Sequence, residues 1–459
     1  MTDLATDAIV ELRATFPGEV IGPGEASYDE TRAIFNGMFD RRPAAILRPV
    51  DTTGVQAAVA FARTAGVPLA IRSGGHSVAG FSSVDDGIVL DLRNLNAVTV
   101  DPEGRTARAQ GGITWAGFDA VTQEHGLAVT GGRVTSTGVV GFTTGSGSGW
   151  LERKYGFACD NVISAQVVTA SGDIVTASEN ENADLFWAIK GGGGNFGVIT
   201  EIEFDLHEVG PIIYGGLAAF DPAKGGEVIR LWREISDDAP NGLGWCVASV
   251  VLPPEPFVPE EWHGKRAWGV LGMFAGSQEE AEQQLQPLRA LGPIVDLFQP
   301  MPYTVVQGLI DAANPYGRRN YWRAHNLSRF EDATIDTLLE QAETMPSPFS
   351  AMLVVNLAGA IAQVDDDATA LGDRAAPYAV HLNTMWEGAE GDDANIAWTR
   401  NATTAFSPWI SPGMALNFFT EIGESEINDT FGGRLSRLRG VKQAYDPDNL
   451  FRLNQNITP

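Results

Sequence analysis

Apolar and polar positions divide the chain into regions of different rhythm. Residues 1 to about 208 are Gly-rich, with short β-type runs between turns: VPLAIRS, GIVLDL, AVTVD, RTARAQGG, VISAQVVTASGDIVTAS and GVITEIEFDLHEV. TTGVQAAVAFARTAG instead places apolar residues at helical spacing, with Gly66 at its end, and predicts a helix. ASGDIV turns at Gly172 between VVTA and IVTA and predicts a β-hairpin. Strands and helices mix without the strict βαβ rhythm of a doubly wound sheet, so the fold class is α+β. From about 209 to 420 glycine thins, and eight of the eleven tryptophans fall here. SQEEAEQQLQPLRALG and EDATIDTLLEQAETM predict amphipathic helices. GLGWCVASVVLP, AWGVLGMFAG, SAMLVVNLAGAIAQV and APYAVHLNTMW predict strands. The expected second domain is a sheet covered by helices. Residues 421–459 close the chain with a helix, a turn at Asp446-Pro447-Asp448 and a short tail.

At 459 residues the chain suits two domains. No run of about eighteen uncharged apolar residues predicts a membrane span. The acidic N-terminus lacks the order of a secretory signal, so a cytoplasmic location is expected. The formal charge of −27, with lysine only at 154, 190, 224, 265 and 442, opposes nucleic-acid and anionic-membrane partners. A solubility surface or a salt-adapted host explains it. Cys159 and Cys246 are the only cysteines, too few for a disulfide framework or a cysteine-based zinc site, and no metal is expected.

Three glycine-rich segments carry the chemistry. In Arg72-Ser73-Gly74-Gly75-His76-Ser77-Val78-Ala79-Gly80, small residues let backbone N–H groups converge into a nest for a diphosphate. Taken alone, a Gly-Gly turn with one histidine reads equally as a plain turn. Residues 131–149, GGRVTSTGVVGFTTGSGSG, are too glycine-rich for an expected helix and suggest a backbone wrapped closely around something, with hydroxyls to bond it. Loop packing on a neighbouring strand is the alternative. Together the two favour a large dinucleotide cofactor. Lys190-Gly191-Gly192-Gly193-Gly194-Asn195-Phe196-Gly197-Val198 lacks the Lys-Ser/Thr of a phosphate-binding P-loop, and no G-x-G-x-x-G opens a helix in a βαβ unit.

The order RSGGHSVAG, ARAQGGITW, STGVVGFTTGSGSGWLERKYGFACDN, DLFWAIKGGGGNFGVIT and YDPDNLFRLNQNI resembles the berberine-bridge-enzyme-like FAD-linked oxidases of the vanillyl-alcohol-oxidase superfamily, in their singly tethered bacterial form. The resemblance implies an FAD-binding domain over 1–208, a substrate domain over 209–420 whose antiparallel sheet roofs the flavin, and a segment 421–459 returning to the first domain. It implies FAD held covalently through His76. Further cofactor contacts are expected from Arg72, Ser73, Gly74, Gly75, Ser77 and Gly80, and from Val134, Thr137, Gly138, Gly141, Thr144, Gly145 and Gly147. Gly197, Val198, Asn454 and Asn456 complete the set. Val134 stands where many relatives carry a second, cysteine tether, so a single link is expected.

For catalysis, the resemblance points to Tyr321 as a hydrogen-bonding or proton-accepting group aided by Arg323, to Asn417 as an orienter, and to His381 as the next choice. Trp322 and Asn383 are expected to grip substrate beside them. The glutamate base of the plant enzymes has no counterpart, since the stretch reads Ala405-Phe406-Ser407-Pro408. The implied reaction is hydride transfer from a small organic alcohol or amine, with O2 returning the flavin to its oxidised state and yielding H2O2. A dehydrogenase and an oxygenating biosynthetic enzyme remain alternatives. Substrate identity and oligomeric state stay open.

Overall fold

The computed structural model describes residues 6–413 and 416–459. Helix Thr52–Ala65 forms where its apolar spacing predicts. Asp51 accepts a hydrogen bond from the Gly54 N–H at 3.0 Å, and Gly66, at φ 66°, closes the other end. Val55, Ala58, Val59 and Ala62 on one face are fully buried. They pack on a four-stranded sheet in the order Gly18–Ile21, Ala45–Pro49, Ile88–Asp91, Leu69–Arg72, whose last three strands run parallel. A second sheet, of five antiparallel strands, contains the expected hairpin: Val162–Val168 pairs with Ile174–Ser178 across a turn with Gly172 at φ 93°.

Strands between Ile212 and Trp386 form an eight-stranded antiparallel sheet. Its side chains alternate between two faces. Trp245, Val247, Val354, Val380 and Leu382 pack against helices Gly225–Asp238, Gln278–Ala290, Asp332–Glu343 and Asp392–Phe406. Cys246, Ala248, Leu353, His381 and Asn383 point to the opposite face.

Helix Leu435–Tyr445 packs on helix Ala183–Ile189, and the tail beyond it is stapled down. Lys442 and Asp446 are both fully buried, 2.7 Å apart. The lysine also donates to the carbonyls of Asn195 and Phe451, and Asp446 accepts from the N–H groups of Leu450 and Phe451.

One sequence expectation fails here. Val139–Gly145, inside the glycine-rich stretch 131–149, is a helix. Only two of its seven residues are glycine, and that propensity cost of about 1 kcal/mol each is offset by burial of Val139, Val140 and Thr143. No helix among the described residues is long and apolar enough to cross a membrane. None of those residues form a cluster of three potential metal ligands.

Candidate functional site

The free face of the eight-stranded sheet lies over the three glycine-rich segments, and one continuous cavity runs between them. Two glycines of different segments meet there. A Cβ on Gly74 would lie 2.3 Å from the Gly138 nitrogen, and one on Gly138 the same distance from the Gly74 nitrogen. These glycines are needed because backbone packs on backbone. Gly141 and Gly194 differ: both line the cavity, and a Cβ on either would have no protein atom within 4 Å. The space beside them is cavity.

His76 is set into the wall. Its Nε2 lies 2.8 Å from Ser136 Oγ, Phe35 stacks on it at 4.3 Å, and Tyr316 meets it edge-on at 5.0 Å. Tyr316 is fixed in turn by its hydroxyl, which donates to the Gly74 carbonyl at 2.6 Å. Burial lowers the His76 pKa to about 4, so the imidazole is neutral at neutral pH.

Of the residues expected to touch a cofactor, Ser73, Gly74, Gly75, His76, Ser77, Val134, Thr137, Gly138, Gly141, Thr144, Gly197 and Asn454 line this cavity. The others do not. Arg72 is buried and spends its guanidinium on the carbonyls of Thr31, Arg32 and Ser82. Gly80 packs on the Phe39 ring, Gly145 on the Asn417 amide and Gly147 on Ala158. Val198 is buried in the core with Val168, and Asn456 lines a separate groove with Ile422 and Ile427. Sequence reasoning left Arg133, Ser148, Trp150, Gly193, Gly194 and Gln455 unassigned, although all line the cavity. Gly193 and Gly194 stood in a run already singled out. Arg133, lone among glycines, was the available signal for the buried ion pair it makes with Glu152 at 2.7 Å. Its guanidinium also lies over the Trp150 ring at 4.7 Å.

The catalytic expectations divide by strand parity. Tyr321 faces the helices, not the cavity. Its hydroxyl donates to Glu421 Oε2 at 2.7 Å and accepts from Arg400 Nε at 3.1 Å, on helix Asp392–Phe406. Burial, then the Glu421 hydrogen bond, raise its pKa above the ordinary value, although Arg400 and Arg323 pull the other way. The assignment of Tyr321 as base is therefore withdrawn: it points away and is a weaker base-former than a free tyrosine. Its neighbour Trp322 faces the cavity, opposite Asn383, with His381 two residues along the same face. Burial takes the His381 pKa down to about 3, with Arg133 and His325 adding to the effect. Asn417 also lines the cavity, and its amide donates to the carbonyls of Gly141 and Phe142. Cys246 enters from the roof, its thiol pushed up to about 12 by burial.

The wall fits FAD. Small residues and backbone at Ser73–Ser77 offer a nest for a diphosphate, Gly141 and Gly194 leave open space, and the polar atoms Ser73 Oγ and Asn454 Oδ1 are buried without partners. Comparison with known proteins points the same way. Residues 43–178 match the FAD binding domain, and residues 428–458 match the berberine and berberine-like family. An FAD-linked oxidoreductase of Dictyostelium discoideum is 29% identical over 462 residues, covering 99% of this chain and 98% of that protein. (R)-6-hydroxynicotine oxidase of Paenarthrobacter nicotinovorans is 29% identical, covering 96% and 97%. Among solved structures, 6-hydroxy-D-nicotine oxidase from Arthrobacter nicotinovorans superposes with a TM-score of 0.86 at 27% identity, over 97% of this chain and 98% of that one. A cavity that fits FAD, two matching family segments and relatives similar over nearly their whole length lead to one conclusion: the chain is an FAD-linked oxidoreductase similar to the berberine-bridge-enzyme-like group.

Proposed function

We propose that the protein oxidises a small organic alcohol or amine, with FAD attached covalently through His76 alone and O2 as the final acceptor. Bound FAD supplies the two-electron acceptor for the hydride, and O2 carries those electrons on to H2O2. The observation that carries the reading is the buried, neutral His76 in the wall of a cavity open beside Gly141 and Gly194.

A neutral imidazole has one N–H and one lone pair. If Nε2 carries the proton and donates it to Ser136 Oγ, Nδ1 keeps the lone pair and would be the nitrogen that holds the flavin. Phe35 and Tyr316 hold the plane of the His76 ring. Two features support a single link: Val134 offers no sulfur, and the Cys246 thiol stays protonated. Asn417 acts as a positioning residue, fixing the carbonyls of Gly141 and Phe142. His381 is assigned as the roof imidazole that hydrogen-bonds the reacting group. Its low pKa keeps it neutral above about pH 4, able to accept a proton only as the C–H bond breaks.

The test is denaturation followed by digestion. Flavin should stay with the chain in acid, its mass should map to the peptide bearing His76, and His76→Ala should release intact FAD. Flavin left in the acid supernatant of the unsubstituted protein, or its mass on another residue, overturns the linkage. Peroxide formed in air during turnover supports oxidase chemistry. Turnover without it favours a dehydrogenase, and an atom of O2 in the product favours the oxygenating alternative.

A further inference from the structure

The segment that joins helix Tyr303–Gln307 to strand Arg319–Leu327 runs beside the cavity, where Ala313 and Asn314 line it. Toward each end it grips the glycine-rich wall. Tyr316 does so through the Gly74 carbonyl and its edge against the His76 ring. Asp311 does so through Thr135, accepting from its N–H at 2.8 Å and from its hydroxyl at 2.5 Å. Tyr316 touches His76 directly, whereas Asp311 does not line the cavity at all.

Thr135 is followed by Ser136, whose Oγ lies 2.8 Å from His76 Nε2. Residues 133–137 belong to no helix or strand, so their placement rests on individual bonds. The N–H groups of Ala116 and Trp115 hold the carbonyls of Thr135 and Thr137 at 2.8 and 3.0 Å. Asp311 holds the other polar atoms of Thr135, its N–H and its hydroxyl. Two oxygens of one rigid carboxylate on a single residue fix direction as well as distance, and an ionised acceptor strengthens both bonds. Whichever way the Ser136–His76 bond runs, it occupies Nε2, and Nδ1 makes no hydrogen bond among the described residues. We propose that Asp311 is a positioning residue for His76: by fixing Thr135 it holds Ser136 against the imidazole, which keeps one orientation with Nδ1 free. The inference rests on the His76 linkage proposed above.

Full-length protein, prepared flavin-free from riboflavin-starved cells, is mixed with FAD in air, and acid-quenched aliquots are read for flavin that stays with the chain. Asp311→Ala keeps the backbone turn in which the Asn314 N–H donates to the residue 311 carbonyl at 2.9 Å. Its attachment rate at saturating FAD should fall roughly tenfold, the worth of one well-placed hydrogen bond, while the FAD concentration giving half that rate is unchanged. Thr135→Val, which drops one of the two bonds, should lie between parent and Asp311→Ala. Asp311→Asn should restore the parent rate, because its carbonyl oxygen accepts from the N–H and its amide donates to the hydroxyl. Ser136→Ala should be at least as slow as Asp311→Ala, and the double variant no slower than Ser136→Ala, since both act through one contact. An unchanged plateau rate in Asp311→Ala and Thr135→Val, a change confined to half-saturating FAD, Asp311→Asn as slow as the alanine variant, or fully additive losses overturns the inference while the linkage stands. A parent chain that attaches no flavin overturns both.

Discussion

Gly141 offers a way to separate the folding of the cavity wall from its use. It lies inside helix Val139–Gly145, lines the cavity, and has no protein atom within 4 Å of where a Cβ would sit. Gly141→Leu therefore meets no protein atom at its Cβ position and gains helix propensity of about 0.5–1 kcal/mol, so flavin-free protein should melt no lower than its parent. With FAD present, the same side chain competes for cofactor space. Overpacking a filled site costs about 1–3 kcal/mol, or roughly ten- to a hundredfold in affinity. Gly138→Ala is the contrasting substitution: its Cβ would lie 2.3 Å from the Gly74 nitrogen and 2.4 Å from Ser73 Oγ, so the two loops must part whether or not flavin is present. Both changes belong in a His76→Ala background, where FAD is expected to exchange. Melting of the flavin-free proteins and titration with FAD by fluorescence quenching give the two numbers. Gly141→Leu binding FAD as tightly as its parent, or melting as low as Gly138→Ala, would refute the assignment of this helix to the cofactor wall.

Tyr321→Phe should leave the rate of flavin reduction by substrate unchanged and lower stability by about 1 kcal/mol, since it removes only the bonds to Glu421 and Arg400. A slowing of about a hundredfold in stopped-flow reduction would restore it as a base. His325 and His381 are held by burial at pKa values of about 4 and about 3. The unfolded chain, near 6.5, binds more protons below that pH, so their contribution is complete above 6.5 and falls as the medium is acidified toward 4 and 3. Each should forfeit roughly 2 kcal/mol between pH 7.5 and 5, and His325→Asn should flatten that part of the urea-midpoint profile. Lys442→Met leaves the Asp446 carboxylate buried without its cation and should cost about 3–5 kcal/mol, measured by denaturant unfolding.

Much of the fold was legible because local chemistry and tertiary role agree. Helix Thr52–Ala65 has its cap, its stripe and its terminal glycine in sequence, and the hairpin at Gly172 has its turn. Helix Val139–Gly145 was not legible, because glycine-rich composition argues against a helix that tertiary burial nevertheless holds. At the site, motif position located His76 but could not set parity in the roof. Tyr321 and Trp322 are adjacent on a strand of period two, so which faces the cavity depends on pairing that no local pattern fixes. Glycine is equally ambiguous in sequence: Gly74 and Gly138 serve contact between loops, Gly141 serves open space, and only coordinates distinguish them.

The tail stapled by Lys442 makes the cavity depend on residues far apart in the chain. Phe451, Leu453, Asn454 and Gln455 line the cavity, and the Ile457 N–H donates to Asn195 Oδ1 at 2.9 Å. The glycine-rich segments lie hundreds of residues earlier in the chain, and the tail completes the wall that they begin. A chain cut before Phe451 would therefore keep the glycine-rich segments and lose the part of the wall that faces them, an unfinished half-site.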